Sequence, residues 1–237
     1  MAIIVIKKAK HLTTVSNYCA EGLKLITSKN MEVIPNFEPD AVFNFYNENR
    51  TLSKKSIKIV MINNGFTKLK NVSIGIKAFE KFRKQNPDAE LHLFGKSFAV
   101  GEEAFLWCKS ESSVENIYFH GQLDFGDLMK ELSVMDLFLH TSKEESFGMA
   151  LVEAMAMGIP VIAGKNSGGP EWILKDGGGI LVDIRSVDEV EKALLRIVEP
   201  RMYSNCSKTA REIAISRFSK EIVVKQYLKL YQMVVID

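Results

Sequence analysis

Two glutamates, Glu145 and Glu153, stand with seven residues between them. If all eight steps were helical, they would span on the order of 12 Å, at about 1.5 Å per residue. That is too far for two acids to share one small reacting group, but it suits the two ends of an elongated polyhydroxylated ligand. Between them, the backbone N–H groups around Gly148–Leu151 sit where a helix begins, and a helix N-terminus is a ready anion site. An anion in the middle with hydroxyls at either end is the layout of a nucleoside diphosphate sugar. Glutamates near a helix start also serve simply to complement the helix dipole in solvent, so the spacing by itself leaves both readings open.

The elements that must position these residues run from Leu137 to Ala163. Leu137–His140 is a short apolar run, Thr141–Gly148 a polar loop, and Met149–Met157 a helix-forming stretch ended by Gly158-Ile159-Pro160. Val161-Ile162-Ala163 begins a second buried strand. Strand, helix and strand in so few residues make a βαβ unit with parallel strands, and in such sheets ligands sit beyond the carboxyl ends of the strands. Thr141–Gly148 lies at that end.

The rest of the chain repeats this alternation. Ile57–Ile62, Ala89–Phe94, Asn116–His120 and Ile180–Val182 read as further strands. The intervening helices are expected over Asn71–Gln85, Glu102–Ser110, Asp124–Leu132 and Val187–Val198. Tyr203–Arg217 and Ser219–Val234 close the chain as helices. About six parallel strands alternating with helices make an α/β, doubly wound, Rossmann-like sheet. Residues 1–36 form a small block of their own (strand, helix, strand, with Ser16 as N-cap), and residues 37–55 read as a polar linker. Residues 56–218 read as the main domain and 219–237 as a final helix.

Composition excludes several classes. A net charge of +2 without runs of like charge gives no reason to invoke nucleic acid. Cys19, Cys108 and Cys206 are odd in number and widely spaced, in no metal-ligand pattern, and read as reduced thiols of a cytoplasmic protein. The opening AIIVIKKAKH is too short and too soon interrupted by lysines for a signal peptide or spanning helix. Gly158 and Gly164-Lys165 are wrongly spaced for a phosphate-binding loop, and Asn166 replaces its Ser or Thr. No G-x-G-x-x-G follows a strand, which argues against a nicotinamide or flavin enzyme. His11, His92, His120 and His140 lie in or beside apolar strand-like segments and are assigned no chemistry. Met149, Met155 and Met157 read as packing.

The run ESFGMALVE, followed by AMAMGIPVIAGKNSGGPEWI, resembles the E-x7-E signature of retaining GT-B glycosyltransferases of family 4, the "glycosyl transferases group 1" class. The likeness continues through Gly168-Gly169-Pro170-Glu171 to Gly179-Ile180-Leu181-Val182. HLTTVSNY and MEVIPNFEPDAVF resemble the exit of that family's N-terminal domain into the hinge. The resemblance therefore implies the donor-binding, C-terminal half of a two-domain enzyme, with nearly all of the first domain absent.

The resemblance also assigns roles. Glu153 is implied to hold the ribose hydroxyls and Glu145, the catalytic-site glutamate, to contact the sugar. The amides of Phe147, Gly148, Met149, Leu151 and Val152, with Lys70, are implied to balance the diphosphate. Gly121 and Leu123 bracket a turn implied to hold the nucleobase by backbone groups. The family's arginine, five residues before Lys70, falls on Gly65 here, and whether Lys68 substitutes is left open. The implied reaction moves a hexosyl group, with retention, from a UDP- or GDP-linked sugar to an acceptor glycan or glycolipid. Neither a cofactor nor a divalent metal is expected, since no Asp-x-Asp appears. Acceptor recognition belongs to the absent half, so nucleotide-sugar binding without robust transfer is expected of this chain alone. Peripheral attachment at the inner face of a membrane is open for the full protein. A non-catalytic binding subunit and, within the same fold, a nucleotide-sugar 2-epimerase stand as alternatives.

Overall fold

The computed structural model describes residues 6–52 and 56–236. The first five residues of the opening apolar run, and the last three of the expected linker, lie outside them.

Six parallel strands form the main sheet: β3 (Lys58–Ile62), β4 (Glu90–Phe94), β5 (Ile117–Gly121), β6 (Leu137–His140), β7 (Val161–Gly164) and β8 (Gly179–Val182), with a two-strand parallel pair, β1 (Thr13–Thr14) and β2 (Glu32–Val33), before them. The order across the sheet is β5-β4-β3-β6-β7-β8. The chain thus works outward from β3 to β5, then returns to lay β6 on the other side of β3. That reversal is a topological switch point, where the loops after β3 and β6 diverge and leave a crevice.

The alternation of side chains explains why both faces are covered. Ile59, Met61, Leu137, Leu139 and Ile162 enter one core, beneath α3 (Val72–Arg83) and α8 (Val187–Ile197). Val60, Phe138, Val161 and Ala163 enter the other, beneath α5 (Phe125–Ser133), α6 (Met149–Ala156) and α9 (Pro200–Phe218). All four residues of β6 and of β7 are buried, as expected of central parallel strands with helices on both faces. Side-chain caps set the starts of three helices: Ser16 for α1 (Asn17–Lys24), Asp124 for α5 and Ser186 for α8.

The segment read as a linker packs closely. It forms the short α2 (Asp40–Phe43), whose Val42 is fully buried against the second core, and Glu38 N–H donates to Phe218 O at 2.9 Å. The last helix, α10 (Lys220–Ile236), lays Val223 and Leu230 against Ile34, just after β2. α4 (Glu103–Glu111) and the five-residue α7 (Gly169–Ile173) complete the helices used below. No helix among the described residues is long and apolar enough to cross a membrane.

Candidate donor site

A cleft of about 480 Å³ opens at the switch point. The ends of β3 (Asn63, Asn64), β4 (Gly95, Lys96) and β6 (His140), the turn after β5 (Gln122, Leu123) and the start of α6 (Gly148–Leu151) form its walls, with Lys70 and Glu145 reaching in from loops.

The start of α6 is built for an anion. Gly148, its N-cap residue, has φ 109° and ψ 63°, a backbone region that side chains rarely adopt, and contributes no side-chain cap. Leu151 N–H donates to Gly148 O at 3.1 Å, which leaves the amides of Met149 and Ala150 as donors for whatever occupies the cleft.

The loop carrying Glu145 is fixed by close backbone contact. Glu145 N–H donates to Ser167 O at 3.0 Å, and Gly169 N–H donates to Glu145 O at 2.8 Å. A Cβ on Gly169 would lie 2.1 Å from Phe147 O, and one on Gly168 would lie 2.6 Å from Glu145 O, so only the glycine pair lets these two loops touch. Phe147 points away from the cleft and packs against Trp172 and Phe218. The N-terminal block also grips this loop: Ser16 Oγ–H donates to Ser146 O at 2.5 Å, and Tyr18 O–H to a Glu144 carboxylate oxygen at 2.5 Å.

Lys70 and Glu145 form an ion pair across the switch point. Beside it, Lys143 N–H donates to Leu69 O at 2.8 Å and Thr141 Oγ–H to Lys70 O at 3.2 Å, so the β3–α3 and β6–α6 loops are tied together.

Of the residues singled out in the sequence, the structure brings Lys70, Leu123, Glu145, Gly148, Met149 and Leu151 to one cleft. Gly121 stands one residue before its wall, at the end of β5. Phe147, Val152 and Glu153 are not among its lining residues. Glu153 is 9% exposed on α6, and burial pushes its carboxyl up to about 7. Two buried polar lining residues are given no role from the sequence: Asn63, and His140, which reads there as a strand histidine; neither has a hydrogen-bond partner for its side-chain nitrogens and oxygen. The available signal was positional, since each stands at the carboxyl end of a strand flanking the reversal. Among the described residues no group of three or more His, Cys, Asp or Glu is placed to hold a metal ion.

The family model described as "Glycosyl transferases group 1" matches residues 43–213, most of the chain. The chain belongs to that family. It is 30% identical over 230 residues to the N-acetyl-alpha-D-glucosaminyl L-malate synthase of Bacillus anthracis, covering 90% of this chain and 58% of that protein. It is 21% identical over 231 residues to the poly(ribitol-phosphate) alpha-N-acetylglucosaminyltransferase of Staphylococcus aureus, covering 95% of this chain and 46% of that protein. This group 1 glycosyltransferase chain thus spans about half the length of these relatives. Its fold is similar to that of Anabaena HepE solved in complex with UDP (TM-score 0.81, 20% identity, 98% of this chain and 66% of that one). It is also similar to TarM (TM-score 0.78, 20% identity, 97% and 45%). The six-stranded parallel sheet is the Rossmann-like sheet of these GT-B glycosyltransferases.

Proposed function

We propose that this chain is the donor-binding half of a retaining hexosyltransferase and that its cleft holds a nucleoside diphosphate sugar. The observation that carries this reading is the uncapped N-terminus of α6, which opens into a cleft whose other charged groups are Lys70, Lys96 and Glu145. The diphosphate sits against the first amides of α6 and is neutralised by Lys70, which stabilises the leaving group as its bond to the sugar breaks, without a metal. Glu145 contacts the sugar, Glu153 the ribose hydroxyls, and the turn at Gly121–Leu123 the base. HepE was solved with UDP and with UDP-glucose, which supports a uridine nucleotide as the first ligand to try.

The acceptor is a glycan or glycolipid hydroxyl, bound through the additional length that the relatives possess. This chain by itself accordingly binds donor and transfers weakly. Calorimetric titration with UDP, UDP-glucose, UDP-N-acetylglucosamine, GDP and GDP-mannose, repeated on Glu153→Ala, tests the reading. Binding of one nucleotide that the variant weakens supports it; absence of binding by all five overturns it.

A further inference from the structure

One buried polar group of the cleft has no role in the reading above. His140, the last residue of β6, is 3% exposed and lines the cleft, and neither ring nitrogen has a hydrogen-bond partner. Buried polar groups are rarely left unpaired, so such a group beside an open cleft points to a ligand that completes it.

The position of Glu145 says what kind of ligand. His140 Nε2 stands 3.7 Å from Glu145 Oε1. That is too long for a hydrogen bond between them, but it is the separation of two groups that share one oxygen. Two heavy atoms each about 2.8 Å from a hydroxyl, and set roughly 80–110° apart around it, are about 3.6–4.6 Å from each other. A hydroxyl in that place donates to the carboxylate and accepts from the imidazole N–H.

We propose that His140 and Glu145 together read one hydroxyl of the transferred sugar, making His140 a specificity-determining residue for the sugar half of the donor. This rests on the donor-site reading and extends it to a residue that reading leaves idle. Lys70 Nζ–H donates to Glu145 Oε1; in the donor complex the diphosphate draws this ammonium away, and the sugar hydroxyl takes its place. Burial, aided by Lys70 and opposed by Glu145, lowers the imidazole to about 4, so at neutral pH it offers one N–H and no charge. A neutral donor suits a hydroxyl, whereas the cationic Lys70 suits the phosphate.

The test compares UDP with UDP-glucose and UDP-N-acetylglucosamine, and GDP with GDP-mannose, on the wild-type chain, His140→Phe and His140→Gln. The phenyl ring fills the imidazole's space without its polar atoms, and the glutamine restores an N–H donor. Expected is a His140→Phe chain that keeps nucleotide affinity within about twofold, while its affinity for the sugar nucleotide relative to the nucleotide falls roughly tenfold. His140→Gln recovers part of that loss. An unchanged ratio in His140→Phe overturns the proposal, and so does an equal loss for nucleotide and sugar nucleotide, which is the mark of a merely structural residue. Failure of the wild-type chain to bind any of the five is a different result, because it removes the donor site itself and this proposal with it.

Discussion

Lys70, on the loop after β3, is ion-paired with Glu145, on the loop after β6, and their side chains are 22% and 21% exposed. The pair bridges the two loops that diverge at the sheet's reversal, in front of the open end of α6. The ammonium proposed to meet the diphosphate is thus held by the protein's own carboxylate. On that proposal, donor binding exchanges one charged partner of Lys70 for another.

Removing either partner has opposite effects on nucleotide affinity. Lys70→Met should weaken UDP by roughly tenfold or more, through loss of a charge-assisted contact. Glu145→Gln removes the competitor and should leave UDP affinity unchanged or improve it by about two- to fivefold at low salt. Titration of both variants decides the matter; equal weakening by both would show that Glu145 does not compete for the lysine.

Glu153 predicts a pH dependence. Burial raises its carboxyl to about 7, so on the acid side it is protonated and above that it is ionised. Ribose hydroxyls donate more strongly to the ionised form, so affinity for UDP-glucose should rise as pH goes from 6 to 8. UDP-glucose is the suitable probe because its diphosphate keeps its charge over this range. Glu153→Gln should bind more weakly at pH 8 and show a flat profile, as calorimetry at a series of pH values would read.

Glu38 predicts a gain in stability on mutation. It is 1% exposed, neither carboxylate oxygen has a hydrogen-bond partner, and burial, with the Glu153 charge adding, pushes it up to about 9. The folded chain keeps this proton to about pH 9, while the unfolded chain releases it near 4.5. Between those values the unfolded state binds fewer protons, so the group's contribution to stability falls as pH rises. Glu38→Gln removes that loss and should be worth up to about 3 kcal/mol at pH 7. Thermal unfolding should show the variant's advantage growing from pH 5 to pH 8; an advantage independent of pH would contradict this account.

Gly169→Ala should destabilise the chain by about 2–4 kcal/mol, because the added carbon would meet Phe147 O at 2.1 Å and neither backbone can yield easily. The loop it displaces carries Glu145. Sugar-nucleotide affinity should therefore fall together with the melting temperature, which calorimetry and thermal denaturation would report on the same sample.

The α/β alternation, the parallel sheet and the loop bearing Glu145 were all legible in the chain itself. Their signals are local: continuous apolar runs at β3, β6 and β7, a helix period in α3 and α8, and glycine and proline punctuation around α6. The family was legible for a related reason, since Glu145–Glu153 and the Gly168-Gly169 turn form one ordered stretch of sequence.

What only the tertiary structure decided depends on contacts between distant segments. Strand order is set by which strands pair, and it is the placing of β6 beside β3 that turns two loops into one cleft. Lys70 meets Glu145 because of that pairing, and no pattern in either loop announces it. His140 reads in sequence as one more residue of an apolar strand. It becomes a candidate contact because β6 ends at the crevice and the fold brings its ring within reach of Glu145 while leaving both nitrogens unpaired. Glu38 likewise sits in a polar stretch that reads as linker, and the packing of α2 and the α9–α10 junction is what buries it. Propensity and periodicity act along the chain, whereas burial and proton affinity are set by neighbours across it.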